Sequence, residues 1–237
     1  MNYNIILYQK PLGISIPEED IKEMKDFNPH FVCFPEYFFV DQTLGNHKQT
    51  KENQDYQINR IKFISEVLNT VVIGGTMLEV VEDRLYNTTF VFQNGQMLGS
   101  YRKKHLFFAE EGIITPGKEF RVFNAYGITF GVLICADVFH DESFLFMNDQ
   151  HAEIIFSPTF SLKKQETVNE KFKRDNDIYV RGAGLADAII VKVCGVQSEY
   201  KSFLQARSLI ASKKEVLYRV RPDQEDVSLI IKQIISL

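Results

Sequence analysis

The chain is organised around residues 131–137, which read Gly-Val-Leu-Ile-Cys-Ala-Asp. The apolar residues, β-branched at Val132 and Ile134, predict a buried strand that runs into Cys135, after which the chain turns. A thiol at the end of a buried strand is held rigidly and can still be reached. The N–H groups of the turn can then face the negative charge that a nucleophile creates. The other interpretation is a small buried hydrophobe, since free cysteine is among the most buried residue types. This segment alone favours the buried hydrophobe.

Size, charge and cysteine content limit the class of protein. The 237-residue chain carries a net charge of −4, with Lys and Arg scattered, which argues against a nucleic-acid surface. The first residues lack a basic flank and a long apolar core, so we expect no signal peptide, and no apolar run approaches the roughly 18 residues of a membrane span. Three widely separated cysteines argue for a reducing compartment. We expect a cytoplasmic protein with no nucleic-acid or membrane partner, folded as a single domain over residues 1–237.

Strand-like and helix-like patterns alternate along the chain. Strands are predicted at 3–8, 31–34, 71–75, 120–124, 128–134, 153–156, 189–193, 206–210, 216–220 and 227–234, and a hairpin at 87–92 and 96–101 around Asn94-Gly95. Helices are predicted after Pro17, in the second half of 41–70, over 142–150 and through most of 161–187. Apolar strands before helices and antiparallel hairpins together predict two mixed sheets, each covered by helices on one face. The expected fold is an α/β, four-layer α-β-β-α sandwich.

Three reactive side chains follow predicted strands: Glu36, Lys103 and Cys135. A carboxylate, an ammonium and a thiol are the parts needed for acyl transfer through a thioester. The carboxylate takes the thiol proton, the thiolate attacks an electrophilic carbon, and the ammonium stabilises the tetrahedral intermediate. Each residue alone also has a structural interpretation, as a solvated carboxylate after a proline, a member of a basic surface run, or a core cysteine.

Together these segments resemble the signature of the nitrilase superfamily, the carbon–nitrogen hydrolases. The matching segments are residues 34–36 (Phe-Pro-Glu), 101–106 (Tyr-Arg-Lys-Lys-His-Leu) and 131–137, in the family order and with gaps of 67 and 32 residues between Glu36, Lys103 and Cys135. The family pattern Tyr-x-Lys-x-His-Leu places its lysine at Lys103. A second family glutamate falls on Glu110, six positions before Pro-Gly, and Glu142 matches an acidic position after the cysteine.

The resemblance implies an α-β-β-α fold paired into a homodimer or a higher homo-oligomer, and hydrolysis of a non-peptide C–N bond without metal or cofactor. The substrate would be a small linear amide, or a nitrile, with ammonia or an amine released. If these positions have the roles of the matching family residues, Cys135 is the nucleophile, Glu36 the general base and Lys103 the oxyanion stabiliser. Glu110 would orient Lys103 or assist substrate and water, and the backbone N–H of Ala136 would donate to the oxyanion.

The sequence departs from the family pattern beyond the cysteine. Ala136 replaces an aromatic residue, Phe139 stands near an arginine position, residues 157–159 read Ser-Pro-Thr instead of Asn-Pro-Ser, and 182–187 lack the Arg-Ala-x-Glu-Asn element. Besides amide hydrolysis, the same three residues permit a nitrilase or an amide-exchange acyltransferase. The departures also leave open a non-catalytic binding or regulatory module with this fold.

The substrate pocket is expected in loops, since fold alone does not set specificity. The candidate loops are residues 43–55, 105–117 and 139–146. Four phenylalanines there suggest an apolar wall: Phe107, Phe108, Phe139 and Phe144. The other two cysteines, Cys33 and Cys194, are expected in the core.

Overall fold

The computed structural model describes residues 1–13, 15–40, 47–196 and 204–237, in which thirteen strands form two mixed sheets. The first sheet has the order β13-β1-β2-β3-β5-β4, and β6 also pairs with β5. Strands β3 and β4 pair with the second and the first half of β5, and β6 lies along its opposite edge. Strands β1, β2 and β3 are parallel, and the remaining pairs of this sheet are antiparallel. Its strands are β1 (Asn2–Gln9), β2 (Phe31–Cys33), β3 (Val71–Ile73), β4 (Met77–Val81), β5 (Arg84–Gln93), β6 (Gln96–Arg102) and β13 (Leu229–Ser236).

The second sheet has the order β12-β11-β10-β9-β8-β7, with a parallel centre formed by β8, β9 and β10. The outer pairs are antiparallel. Its strands are β7 (Val122–Ala125), β8 (Ile128–Val132), β9 (Ile154–Thr159), β10 (Ile189–Cys194), β11 (Leu209–Ala211) and β12 (Val216–Arg219).

Helices cover the outer face of each sheet. The described helices are α1 (Glu18–Asp26), α2 (His47–Leu68), α3 (Asp141–Asp149), α4 (Val168–Asp175) and α5 (Arg181–Ala186). Helix α1 begins after Pro17, with three acidic residues in its first turn, where the helix dipole favours negative charge. None of the described helices combines the length and the apolar character needed to cross a bilayer.

Strand β1 shows why both faces of the first sheet are buried. Ile5 and Leu7 belong to the large cluster of buried side chains between the two sheets. Ile6 and Tyr8 point the other way and pack in a second cluster with Met24 of α1 and with residues of α2. Since side chains alternate along a strand, a continuous apolar run fills both layers. The four layers confirm the predicted α-β-β-α sandwich.

The structure differs from the predicted elements in several places. Strand β4 was not predicted, α2 begins as early as His47, and residues 161–167 precede α4 without being helical. The strand expected at 153–156 continues through Pro158 to Thr159. Its neighbour β8 ends at Val132, which pairs with Phe156, so Pro158 pairs with β10 alone. Proline lacks an N–H and is tolerated where one side of a strand has no ladder partner.

Candidate active site

The loop after β2 presents Glu36 to the interior. Thr76 Oγ1 accepts a hydrogen bond from the Tyr37 N–H at 2.8 Å, and the Thr76 N–H donates to the Pro35 carbonyl at 3.3 Å. Gly75 lies against this loop with φ of +62°, and a Cβ there would stand 2.2 Å from the Pro35 oxygen. Only glycine fits this close approach. The loop therefore holds Glu36 in a fixed position, almost fully buried at 1% exposure.

Lys103 lies between two carboxylates at the end of β6. Its Nζ is 2.8 Å from Glu36 Oε1 and 2.7 Å from Glu110 Oε2, and its side chain is as buried as that of Glu36. Asn87 on β5 joins the same groups, since its Nδ2 donates to Glu36 Oε1 at 2.9 Å and to Glu110 Oε1 at 2.8 Å. The Tyr37 hydroxyl also donates to Glu110 Oε1. Buried charges are tolerated when they are paired and hydrogen-bonded in this way.

The pKa values of the two carboxyl groups are shifted in opposite directions. Burial raises the pKa of Glu36, and the positive charge of Lys103 only partly offsets that effect. Burial acts in the same sense on Glu110, but the charge of Lys103 and its hydrogen bonds outweigh it and lower the pKa of Glu110. Burial alone would lower the pKa of Lys103, yet the neighbouring negative charges raise it. Glu36 is therefore suited to exchange a proton, whereas Glu110 and Lys103 keep their charges.

Cys135 begins a 3₁₀ turn, Cys135–Phe139, that follows β8. Its φ is +43°, in the left-handed region that residues with a side chain seldom adopt, and such strain clusters at functional sites. Cys135 is partly exposed as a residue, and its Sγ lies 3.8 Å from the Phe160 carbonyl. Burial raises the pKa of Cys135, as do the charge of Glu36 and a hydrogen bond to it, while Lys103 acts in the opposite direction. The resting thiol is therefore protonated near neutral pH, beside a carboxylate that can accept the proton.

The structure brings the residues singled out in the sequence to one place. Glu36, Lys103 and Glu110 form a single buried network. The Phe160 backbone joins Cys135 to it, since the Phe160 N–H donates to Glu36 Oε2 at 2.8 Å and the Phe160 carbonyl lies 3.8 Å from Cys135 Sγ. Ala136 is the second residue of the 3₁₀ turn and is buried. A carboxylate, an ammonium and a thiol brought together in this way can carry out nucleophilic acyl transfer.

Sequence reasoning missed three residues that hold Glu36 and Glu110. These are Tyr37, Asn87 and Phe160, whose N–H donates to Glu36 Oε2 at 2.8 Å. Tyr37 directly follows Glu36, which is the only signal in the sequence. Asn87 lies within a strand, and Phe160 contributes a backbone group, so neither could be found without the tertiary structure.

The predicted apolar wall is only partly supported. Phe144 is fully buried in the core, where its ring packs against Gly182, so it does not line the site. Phe108 and Phe139 are largely exposed, and Phe107 is partly buried. In the predicted pocket loop 43–55, residues 43–46 lie outside the described part of the chain and the rest belongs to α2. Cys33 and Cys194 are buried in the core, as predicted.

Most of the chain matches a known family. Residues 13–227 match the family model described as "Carbon-nitrogen hydrolase". The chain therefore belongs to the carbon–nitrogen hydrolase family, within the nitrilase superfamily, and the predicted family is confirmed.

Curated relatives and solved structures agree with this assignment. A nitrilase from Pyrococcus abyssi (strain GE5 / Orsay) is 31% identical over 151 residues, which cover 60% of this chain and 56% of that protein. An omega-amidase from Xenopus tropicalis is 29% identical over 182 residues, covering 70% of this chain and 66% of that protein. The matches thus span less than two thirds of these relatives. The crystal structure of a carbon-nitrogen hydrolase from Helicobacter pylori G27 has a TM-score of 0.80 at 17% identity, over 100% of this chain and 90% of that chain, which supports the fold alone.

Proposed function

We propose that this protein hydrolyses the C–N bond of a small linear amide through a thioester on Cys135. The observation that carries this proposal is the backbone of Phe160, which contacts the Cys135 thiol through its carbonyl and the buried Glu36 carboxylate through its N–H, while Glu36 is itself paired with Lys103. The family supplies the reaction class, and one relative is named an omega-amidase.

In the proposed first half-reaction, Glu36 accepts the thiol proton and Cys135 Sγ attacks the amide carbon. The carbonyl π electrons move to oxygen, and the resulting oxyanion is stabilised by the Lys103 ammonium and the Ala136 N–H. Collapse of this intermediate breaks the C–N bond, and Glu36 returns its proton to the leaving nitrogen. Ammonia leaves, and the acyl group stays on sulfur as a thioester.

In the second half-reaction, Glu36 deprotonates a water molecule that attacks the thioester carbon. The C–S bond breaks, the carboxylic acid leaves, and the proton on Glu36 returns to Cys135. The raised pKa of Glu36 supports its role, because a base whose pKa lies nearer the working pH exchanges protons more efficiently. Glu110, with its lowered pKa, keeps Lys103 charged and in place.

Two alternatives use the same residues. A nitrilase would add the thiolate to a nitrile carbon, and one relative carries that name. An amide-exchange acyltransferase would pass the thioester to an amine instead of water. A non-catalytic module of this fold would need none of these steps. It would not require the strained backbone at Cys135 or a buried carboxylate that acts on the thiol.

A matched substrate panel separates these functions. One acyl group is offered as its amide and as the corresponding nitrile, and an N-carbamoyl compound of similar size is added. Ammonia release is measured with and without hydroxylamine. We expect ammonia and the free acid from the amide, at a rate at least about tenfold above that for the nitrile. A faster nitrile reaction would favour a nitrilase, hydroxamate as the main product would favour the transferase, and no ammonia from any compound would contradict enzymatic hydrolysis.

We propose a homodimer as the assembled form and the cytoplasm as its location. Phe139 and Leu145, on the 3₁₀ turn and on α3, are about half exposed and form apolar surface on the second helix layer, which supports an interface there. All three cysteines are free, which supports a reducing compartment. Sedimentation velocity at micromolar concentration tests the assembly, and a monomer would contradict it.

A further inference from the structure

One buried carboxylate joins the turn of the proposed nucleophile to the segment of the proposed oxyanion stabiliser. Asp137 Oδ2 accepts hydrogen bonds from the Ile134 N–H at 2.8 Å and from the Tyr101 hydroxyl at 2.7 Å. Its Oδ1 accepts the His105 N–H at 2.9 Å. Ile134 directly precedes Cys135, while Tyr101 and His105 each lie two residues from Lys103. Asp137 is fully buried, so these bonds are not exchanged for water.

The His105 ring lies between two carboxylates. Its Nδ1 is 3.2 Å from Asp137 Oδ1, and its Nε2 is 2.8 Å from Glu142 Oε1. Carboxylate oxygens are acceptors, so both contacts are satisfied only when each ring nitrogen carries a proton. His105 is then an imidazolium, and its positive charge balances the buried negative charge of Asp137.

Other charged groups near this ring are few among the described residues. Lys104 Nζ lies 3.2 Å from Glu142 Oε1, and the His140 ring stacks on His105 with centroids 3.7 Å apart. The hydrogen bond that His105 donates to Asp137 is the largest effect raising the pKa of His105, and Glu142 acts in the same direction. Burial and the His105 charge lower the pKa of His140.

We propose that Asp137, His105 and Glu142 form a positioning clasp that sets the place of the Lys103 ammonium relative to the Cys135 thiol. The clasp touches no reacting atom and acts through the backbone of the two segments. This role rests on the proposed acyl transfer at Cys135. The pairs of Lys103 with Glu36 and Glu110 do not by themselves fix the turn that carries Cys135, whereas Asp137 binds that turn and the Lys103 segment at once.

The clasp has a pH dependence of defined sign. Since the pKa of His105 is raised in the folded protein, the imidazolium persists above the usual histidine range and is lost as pH rises through that raised pKa. Neutral His105 leaves one ring nitrogen without a proton against a carboxylate oxygen. Activity should therefore decline on the alkaline side as the clasp loosens. Since misplacing a reacting group by about 1 Å can cost roughly a hundredfold in rate, even a small shift is measurable.

Glu142→Gln is the test variant, because Glu142 is exposed and its replacement keeps the fold. We expect kcat to fall about three- to tenfold at pH 8 with KM unchanged, and the alkaline limb of the kcat profile to move to lower pH. The pKa of His105 is followed by NMR, with the ring resonances assigned by their loss in His105→Gln. This pKa should also be lower in Glu142→Gln than in wild type. Asp141→Asn is the matched control, since Asp141 neighbours Glu142 but pairs with Arg181 on the surface.

Asp137→Asn is the second variant and should cost kcat about a hundredfold or more, because an amide cannot accept all the donors that face Asp137. An unchanged kcat profile and an unchanged His105 pKa in Glu142→Gln would overturn the clasp, as would an equal shift in Asp141→Asn. If wild-type protein releases no ammonia at all, the proposed function fails on its own. The rate of Cys135 alkylation then replaces kcat as the readout, and an equal rate in Glu142→Gln and wild type would overturn the clasp independently.

Discussion

Cys135→Ala is expected to abolish ammonia release while the protein stays folded. Without the sulfur no thioester can form, and removing a nucleophile from a cooperating set costs on the order of 10⁴- to 10⁶-fold in kcat. Cys135 is partly exposed as a residue, and its thiol makes a long hydrogen bond of 3.8 Å to the Phe160 carbonyl, so the free energy of unfolding should change by about 1 kcal/mol. Ammonia release and thermal unfolding of the same sample measure the two effects.

Cys194→Ala is the matched control for this loss of activity. Cys194 is fully buried in a small apolar cluster with Val196 and Ala206 and has no role in the proposed reaction. Its replacement should leave turnover within about twofold of wild type. Turnover retained by a folded Cys135→Ala protein would contradict the account, and so would an equal loss in both variants.

Lys103→Met is expected to abolish activity and also to destabilise the fold. The ammonium is fully buried between Glu36 and Glu110, and without it two buried carboxylates face each other uncompensated. Breaking a buried ion pair by removing one partner costs about 3–5 kcal/mol. Because one carboxylate must then take up a proton, the loss of stability should be greatest above neutral pH and smaller in mild acid. Denaturant unfolding across pH 5–9 measures this difference.

The double variant Lys103→Met, Glu110→Gln separates stability from chemistry. Replacing Glu110 by an isosteric amide removes one of the facing charges, so most of the lost stability should return. Activity should not return, because the oxyanion still lacks its cation. Recovered ammonia release in the double variant would show that Lys103 serves the fold alone, and would contradict its proposed role.

Much of the fold was predictable because its signals are local. The apolar run of β1, the proline and acids that open α1, and Asn94-Gly95 between β5 and β6 each specify their element within a few residues. Strand β4 was missed because it contains Glu79, a charged residue inside a buried strand. Glu79 is tolerated there because Arg102 pairs with it at 2.7 Å and Thr88 donates a hydrogen bond to it. Those partners come from β6 and β5, so the explanation lies in tertiary contacts.

The same distinction between local signals and tertiary contacts applies to the residues of the candidate site. Glu36, Lys103 and Cys135 were found because each follows a predicted strand and the family resemblance joins them, and Glu110 was found only through that resemblance. The roles of Asn87 and of the Phe160 N–H depend on chain segments separated from Glu36 by 51 and 124 residues. No periodicity or local motif encodes such an approach. The single-domain organisation stays a prediction, and the experiments above test the site roles.

The central claim is that the acyl group of the substrate is carried on Cys135. Intact-mass spectrometry of protein quenched in acid during turnover of the best amide tests this directly. We predict a mass increase equal to the acyl group, located on Cys135 by peptide mapping, removed by hydroxylamine and absent from Cys135→Ala. Steady ammonia release with no acyl adduct on Cys135, or an adduct on Cys33 or Cys194 instead, would contradict the account.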